Sequence, residues 1–192
     1  TEYDTTKIGD IGRFLFIGPR IDDAVWQFLY HKRDIPTAVV LCPPTSEEKY
    51  RKIVTDLFIY SEYNKSLMKK IIKRQMNPES SPIVFIIEHD GAKISIPELY
   101  SKDKHFKYCY DNACKLKMCL ITISKVPINI PLLSNNSSSS KPTARRIRNR
   151  KITTPQKECF DYIFVSCGND DTTYIDAVYS LYFKQFLPST HD

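Results

Sequence analysis

Glu88-His89-Asp90 ends the most hydrophobic run in the chain, Ile83-Val84-Phe85-Ile86-Ile87. Carboxylates beside an imidazole are the materials of a metal site or of proton transfer. Neighbours on a strand point to opposite faces, however, and no second His is placed to help. The reading is therefore a strand end, with no metal expected. Cys109, Cys114 and Cys119 recur every five residues. That period fits neither a zinc knuckle nor one helix face, and buried thiols are expected. The six cysteines show no CxxC spacing, so reduced thiols are expected rather than a disulfide framework. His31 sits in a polar turn and reads as structural. No nucleophile elbow accompanies the many hydroxyls.

One basic stretch stands apart. Lys141, Arg145, Arg146, Arg148, Arg150 and Lys151 include no acid among them, and the chain's net charge is +6, so 6 − 6 = 0 remains for the rest. The basicity belongs to one segment, as in a tether or contact arm. It lies within residues 135–157, which open on Asn135-Asn136-Ser137-Ser138-Ser139-Ser140 and hold three aliphatic residues, Ala144, Ile147 and Ile152. Such a stretch reads as a flexible insertion, disordered by default. Its ligand is either nucleic-acid phosphates or a neighbouring protein; no aromatics are interleaved to stack single-stranded bases.

The elements that must position these residues alternate. Apolar runs predict strands at residues 14–17, 38–42, 57–60, 83–87, 119–123 and 162–165. Helical spacing predicts helices at 22–30, with Asp22 or Asp23 as cap, and at 64–75, which is amphipathic and basic. Residues 46–54 read as a helix opened by a capping box of Thr45 and Glu48. Residues 173–186 read as a closing aromatic-rich helix. This alternation predicts an α/β fold with a mainly parallel sheet covered on both faces. Ligands would then meet the carboxyl ends of the strands, at residues 18–23, 42–45, 88–91 and 124–126. At 192 residues the chain is one domain; no apolar run is long enough to span a membrane, and residues 1–10 show no signal-peptide pattern. It begins without Met, as a fragment or processed form would.

Four stretches carry a resemblance. Leu29-Tyr30-His31-Lys32-Arg33-Asp34-Ile35-Pro36 precedes the second strand. Asp56-Leu57-Phe58-Ile59-Tyr60-Ser61-Glu62-Tyr63 precedes a helix ending Ile72-Lys73-Arg74-Gln75. Cys119-Leu120-Ile121 continues to Pro127-Ile128-Asn129-Ile130-Pro131, and Asp161-Tyr162-Ile163-Phe164 follows. In that order they resemble the packaging ATPases of nucleocytoplasmic large DNA viruses, a branch of the FtsK/HerA superfamily. The match runs from about Phe14 to Phe186. It implies a three-layer P-loop NTPase-like sandwich, in a family that normally continues beyond the point where Asp192 ends.

The resemblance also implies where the chemistry should be, and those positions differ. Counted back from Tyr30, the Walker A Lys and Ser/Thr fall on or next to Asp22 and Asp23. Gly18 opens that loop, but its further glycines fall on bulkier residues, Pro19 and Ile21 among them. A carboxylate in place of the phosphate-binding ammonium repels the anion that a helix N-terminus attracts. Glu88, His89 and Asp90 occupy the Walker B end. The Asn-Gly-Arg finger corresponds to Asn112-Ala113-Cys114, and the sensor Gln to Lys125. An arginine finger is worth about 10³–10⁵ in rate. Four altered places imply lost hydrolysis, with no cofactor. The expected role is a structural virion component, such as a minor capsid protein, assembled in host cytoplasm with other capsid or packaging proteins. The alternatives are a packaging-motor subunit that binds ATP and a DNA-contacting protein acting through residues 141–151.

Overall fold

The structure, a computed structural model, describes residues 8–19, 21–126, 160–165, 177–180 and 185–186. The insertion 135–157, with its candidate contacts Lys141 to Lys151, lies outside the described residues.

Six parallel strands form the body of the sheet. They are β1 (Gly12–Ile17), β2 (Thr37–Leu41), β3 (Ile59–Tyr60), β4 (Ile83–His89), β5 (Met118–Ser124) and β6 (Tyr162–Val165). Two more, β7 (Ala177–Ser180) and β8 (Gln185–Phe186), add antiparallel at one edge, giving the order β3-β2-β4-β5-β1-β6-β7-β8. Among the described residues, five helices accompany them: α1 (Asp22–Tyr30), α2 (Glu47–Tyr50), α3 (Lys65–Gln75), α4 (Ile96–Lys102) and α5 (Lys104–Asp111). The fold is α/β, with a six-stranded parallel array flanked by helices.

Burial on both faces explains the continuous apolar runs. Phe14 and Phe16 of β1, with Val84 and Ile86 of β4, pack against Ala24, Val25 and Phe28 of α1 and Tyr50 of α2. Leu15, Phe85 and Ile87 point the other way, to Met68, Ile71 and Ile72 of α3, Tyr100 of α4 and Phe106 of α5. On the first face Phe16 stacks on Phe164 at 4.3 Å between ring centroids, which ties β6 to β1.

Residues that carry the family resemblance hold this frame together. Lys32 is buried, and its ammonium donates to Ile8 O (2.8 Å), Gly9 O (3.2 Å) and Asp10 Oδ1 (2.8 Å). Gln75, also buried, donates to Leu116 O at 2.9 Å, joining the end of α3 to the approach to β5. Asp161 accepts from the Arg13 backbone N–H (2.7 Å), Nε (3.2 Å) and Nη2 (3.0 Å). Gly12 leaves room for that clamp: its φ is +155°, and a Cβ would meet Asp161 Oδ2 at 3.3 Å.

Several elements differ from expectation. Residues within 173–186 form β7 and β8, not a helix. Aromatics at mixed three- and four-residue spacing mimic a helical stripe, while the outer edge of β6 supplies unpaired backbone groups that a strand satisfies. Residues 46–54 yield only α2, after a 3₁₀ turn at Pro44–Ser46, and the capping box does not form. The α2 N-cap residue is Ser46 rather than Thr45; its hydroxyl donates to Glu88 at 2.7 Å, and Glu48 pairs with Arg51 at 3.0 Å. Residues Asp56–Phe58 are a 3₁₀ turn, so the strand there shrinks to Ile59–Tyr60. Ile21, not an Asp, is the α1 N-cap residue, and Asp22 and Asp23 fill the first turn. Cys114 is exposed, although Cys42, Cys109 and Cys119 are buried free thiols. The helices α4 and α5 were not anticipated; Asp103 caps α5 by accepting from His105 N (2.8 Å) and Phe106 N (3.1 Å).

Truncating Asp161 to Ala removes the carboxylate that meets the Arg13 guanidinium and leaves the Arg13 backbone N–H without this acceptor. We expect a loss of about 2–4 kcal/mol in a urea titration, read as a lower midpoint with an unchanged slope.

Candidate functional site

Strand register decides what gathers at the carboxyl end of the sheet. Ile17 pairs with Ser124, and Glu88 with Ile123, so the ends of β1, β5 and β4 lie side by side. Along β4, Val84 and Ile86 belong to the α1/α2 face. The two-residue period sends Glu88 to that face as well and His89 to the opposite one. Their contacts agree. Glu88 meets Ser46 and α2, whereas His89 Nδ1 accepts from Ile96 N of α4 at 3.2 Å.

The Glu88 carboxylate is almost fully satisfied. Ser46 Oγ donates to Oε1 at 2.7 Å; Tyr50 OH donates to Oε2 at 2.9 Å. The Lys49 ammonium lies 2.9 Å from Oε2 and 3.0 Å from Asp22 Oδ1, so it bridges the two carboxylates. Lys125 Nζ stands 4.0 Å from Asp22 Oδ2, largely in solvent. Burial opposes the charge on Lys49, but hydrogen bonds to Glu88 and Asp22 outweigh it and raise its pKa above the usual lysine range. Its share of stability is therefore complete below the unfolded lysine value and is lost only as pH rises through the higher folded one. Burial first, and then the Glu88 charge, push the Tyr50 phenol up as well. Cys42, beside the cluster, is pushed up to about 12 by burial and then by Glu88 and Glu47. It is a thiol at neutral pH and no nucleophile.

The described residues of the loop between β1 and α1 do not line up as a phosphate cradle. Such a cradle needs successive N–H groups aimed at one anion. Gly18, at φ +137°, donates its N–H to Ser124 O at 3.0 Å; Pro19 has none to give, and the Ile21 side chain is fully buried. Asp22 stands on the first turn of α1 facing Lys49, and Asp23 is exposed beside it. The Lys49 ammonium lies between the two carboxylates of this end of the sheet, where the resemblance would put a metal.

Of the candidate residues, the fold joins Asp22, Glu88 and Lys125 in one cluster around Lys49. His89 and Asp90 turn away. Asp90 Oδ1 accepts from Ala92 N and Ile94 N, both at 2.9 Å; although burial raises its pKa, those bonds bring it below the usual range. Cys114 lies at the other end of the sheet, next to Ala113, whose carbonyl accepts from Met118 N at the start of β5. That strand separates it from Glu88 by about 20 Å. Among the described residues no group of three or more His, Cys, Asp or Glu is arranged to hold a metal ion. Sequence reasoning missed Ser46, Lys49 and Tyr50, since no local pattern announces a contact between residues about forty apart.

Comparison with known proteins adds no relative: no family model, curated protein or solved structure matches the chain.

Two outcomes follow from this geometry. Lys49→Met should cost about 2–4 kcal/mol in chemical denaturation, because Asp22 and Glu88 then share a gap without a cation. Adding Glu88→Gln should restore most of the loss. His89 titrates in the other sense. Burial lowers its pKa, and its acceptor Nδ1 requires the neutral ring. The unfolded chain therefore binds the extra proton first. Thermal stability should fall as pH drops through about 6.5 toward the lower folded value, and His89→Gln should flatten that window.

Proposed function

We propose that this chain is a non-catalytic relative of the viral packaging ATPases, retained for its shape and surface as a structural component of the virion. One observation carries the reading: the Lys49 ammonium is held between Asp22 Oδ1 and Glu88 Oε2 at 3.0 and 2.9 Å. These are the positions where the resemblance puts the phosphate-binding Lys and the Walker B acid. An internal ion pair there takes the place of an external Mg²⁺–nucleotide.

The strand order supports the same reading. β5, carrying the sensor position at its end, lies between β1 and β4, which carry the Walker A and Walker B positions. A P-loop sandwich is the finer description that this order and the resemblance favour together. Function resides in sites grafted on a fold, and a frame without its site is kept for what its surface contacts. Other capsid or packaging proteins are the partners that this role implies.

A second reading rests on the two ammoniums. Lys49 and Lys125 both approach Asp22, and a motor subunit could turn them toward phosphates if Asp22 were displaced. Titration of a fluorescent ATP analogue with Mg²⁺ separates the two. We expect no saturable binding up to about 1 mM, the upper end of ordinary substrate constants. Binding at micromolar levels would overturn the non-catalytic reading in favour of the motor subunit. Binding gained only by Asp22→Lys combined with Asp23→Thr would identify the Asp22 carboxylate as the barrier. In purified virions the protein is expected in many copies, with no nucleotide accompanying it.

A further inference from the structure

Helix α3 concentrates charge of one sign on one side. Lys65, Lys69, Lys70, Lys73 and Arg74 occur within its eleven residues, and none of the eleven is acidic. Residues advance about 100° each around a helix. Met68, Ile71, Ile72 and Gln75 are buried against the sheet, which turns Lys69, Lys70 and Lys73 outward, where all three are exposed. Lys65, at one flank, lies 3.8 Å from Asp103, and Arg74, at the other, donates to Thr37 Oγ1 at 3.3 Å. Between them, no carboxylate of the described residues comes within 4.0 Å of the three outward lysines.

Lys104 and Lys115 are likewise exposed and meet no carboxylate among the described residues, but they stand singly, and four other surface cations are paired. Arg51, Lys93, Lys102 and Lys107 each meet a carboxylate. On α3 the neighbours are alike instead: Lys65 and Lys69, Lys69 and Lys73, and Lys70 and Arg74 are four residues apart. Like charges at that spacing repel and weaken the helix. The contrast with the whole chain is sharper still. From the net charge of +6, removing the six of residues 141–151 and the five of α3 leaves 6 − 6 − 5 = −5. A positive strip on an otherwise acidic body orients the molecule toward a polyanion.

We propose that the outward face of α3 binds the phosphate backbone of duplex nucleic acid. An eleven-residue helix is about 16 Å long, enough to meet several phosphates along one side of a groove. Lysines contact phosphates as point charges without reading bases, so the surface is indifferent to sequence. A lipid surface fits less well. An interfacial helix needs its apolar face for the acyl layer, and that face of α3 is already spent on the core. The inference does not depend on whether the Lys49 cluster excludes nucleotide.

The test is fluorescence anisotropy of a labelled duplex of about 30 base pairs with the full chain, across about 50–200 mM NaCl. Three proteins are compared: the native chain, Lys69→Gln with Lys70→Gln and Lys73→Gln, and Arg145→Gln with Arg146→Gln and Arg148→Gln. Circular dichroism checks that each retains its helix. Removing three phosphate contacts from α3 should lower the salt slope by about 2.7 and weaken binding more than tenfold at 0.1 M salt, alike for unrelated sequences. An α3 variant with the native slope would overturn the proposal, whatever the third protein does. So would native protein that binds no duplex, or that binds phosphatidylserine vesicles through α3 and not DNA.

Discussion

Two carboxylates, Asp22 and Glu88, come from distant parts of the chain to the same end of the sheet, and the Lys49 ammonium lets them share it. Without a cation between them, the two like charges would repel each other. Much of the local architecture serves that contact. α2 is a four-residue helix after a 3₁₀ turn, which brings Ser46, Lys49 and Tyr50 to Glu88 together. Asp22 stays in the first turn of α1, where negative charge also suits the helix dipole. The arrangement is satisfied from within.

The frame around it is independent of that chemistry. Lys32, Gln75 and Asp161 lie in stretches that carry the family resemblance, yet each is occupied with groups of its own chain: backbone carbonyls and the Asp10 carboxylate for Lys32, backbone carbonyls for Gln75, and Arg13 for Asp161. Lys32 ties the segment before β1 to the end of α1. Gln75 ties α3 to the turn before β5, and Asp161 locks the start of β6 to β1. The residues that fasten the frame and those of the Lys49 cluster are different ones, so a change in the cluster can leave the shape standing. The same separation allows an exterior element such as α3 to carry a role that the sheet's carboxyl end does not share.

Residues 83–89 and 118–124 show how much was legible. Both strands are buried on two faces, so their continuous apolar runs admit few other readings. The basic helix was legible too, since Met68, Ile71, Ile72 and Gln75 mark its inner side and Asn64 caps its start through Ser66 N at 2.8 Å. Residues 173–186 misled because their aromatics fit a helix, and pairing with β6 is a long-range event that local spacing does not encode. Helices α4 and α5 were missed because each is short and interrupted at Asp103.

By itself, the sequence determined the alternation of strands and helices, the two-faced burial of the central strands, the opposite aims of Glu88 and His89, and the positive face of α3. Each follows from a period of two or of 3.6 residues, which neighbours along the chain impose. Only the tertiary structure decided that β5 lies between β1 and β4, that Asp22 meets Glu88 through Lys49, and that Cys114 belongs to the other end of the sheet. Strand order and side-chain partnership are set by which buried surfaces fit and which charges need a counter-ion, and no local period records them.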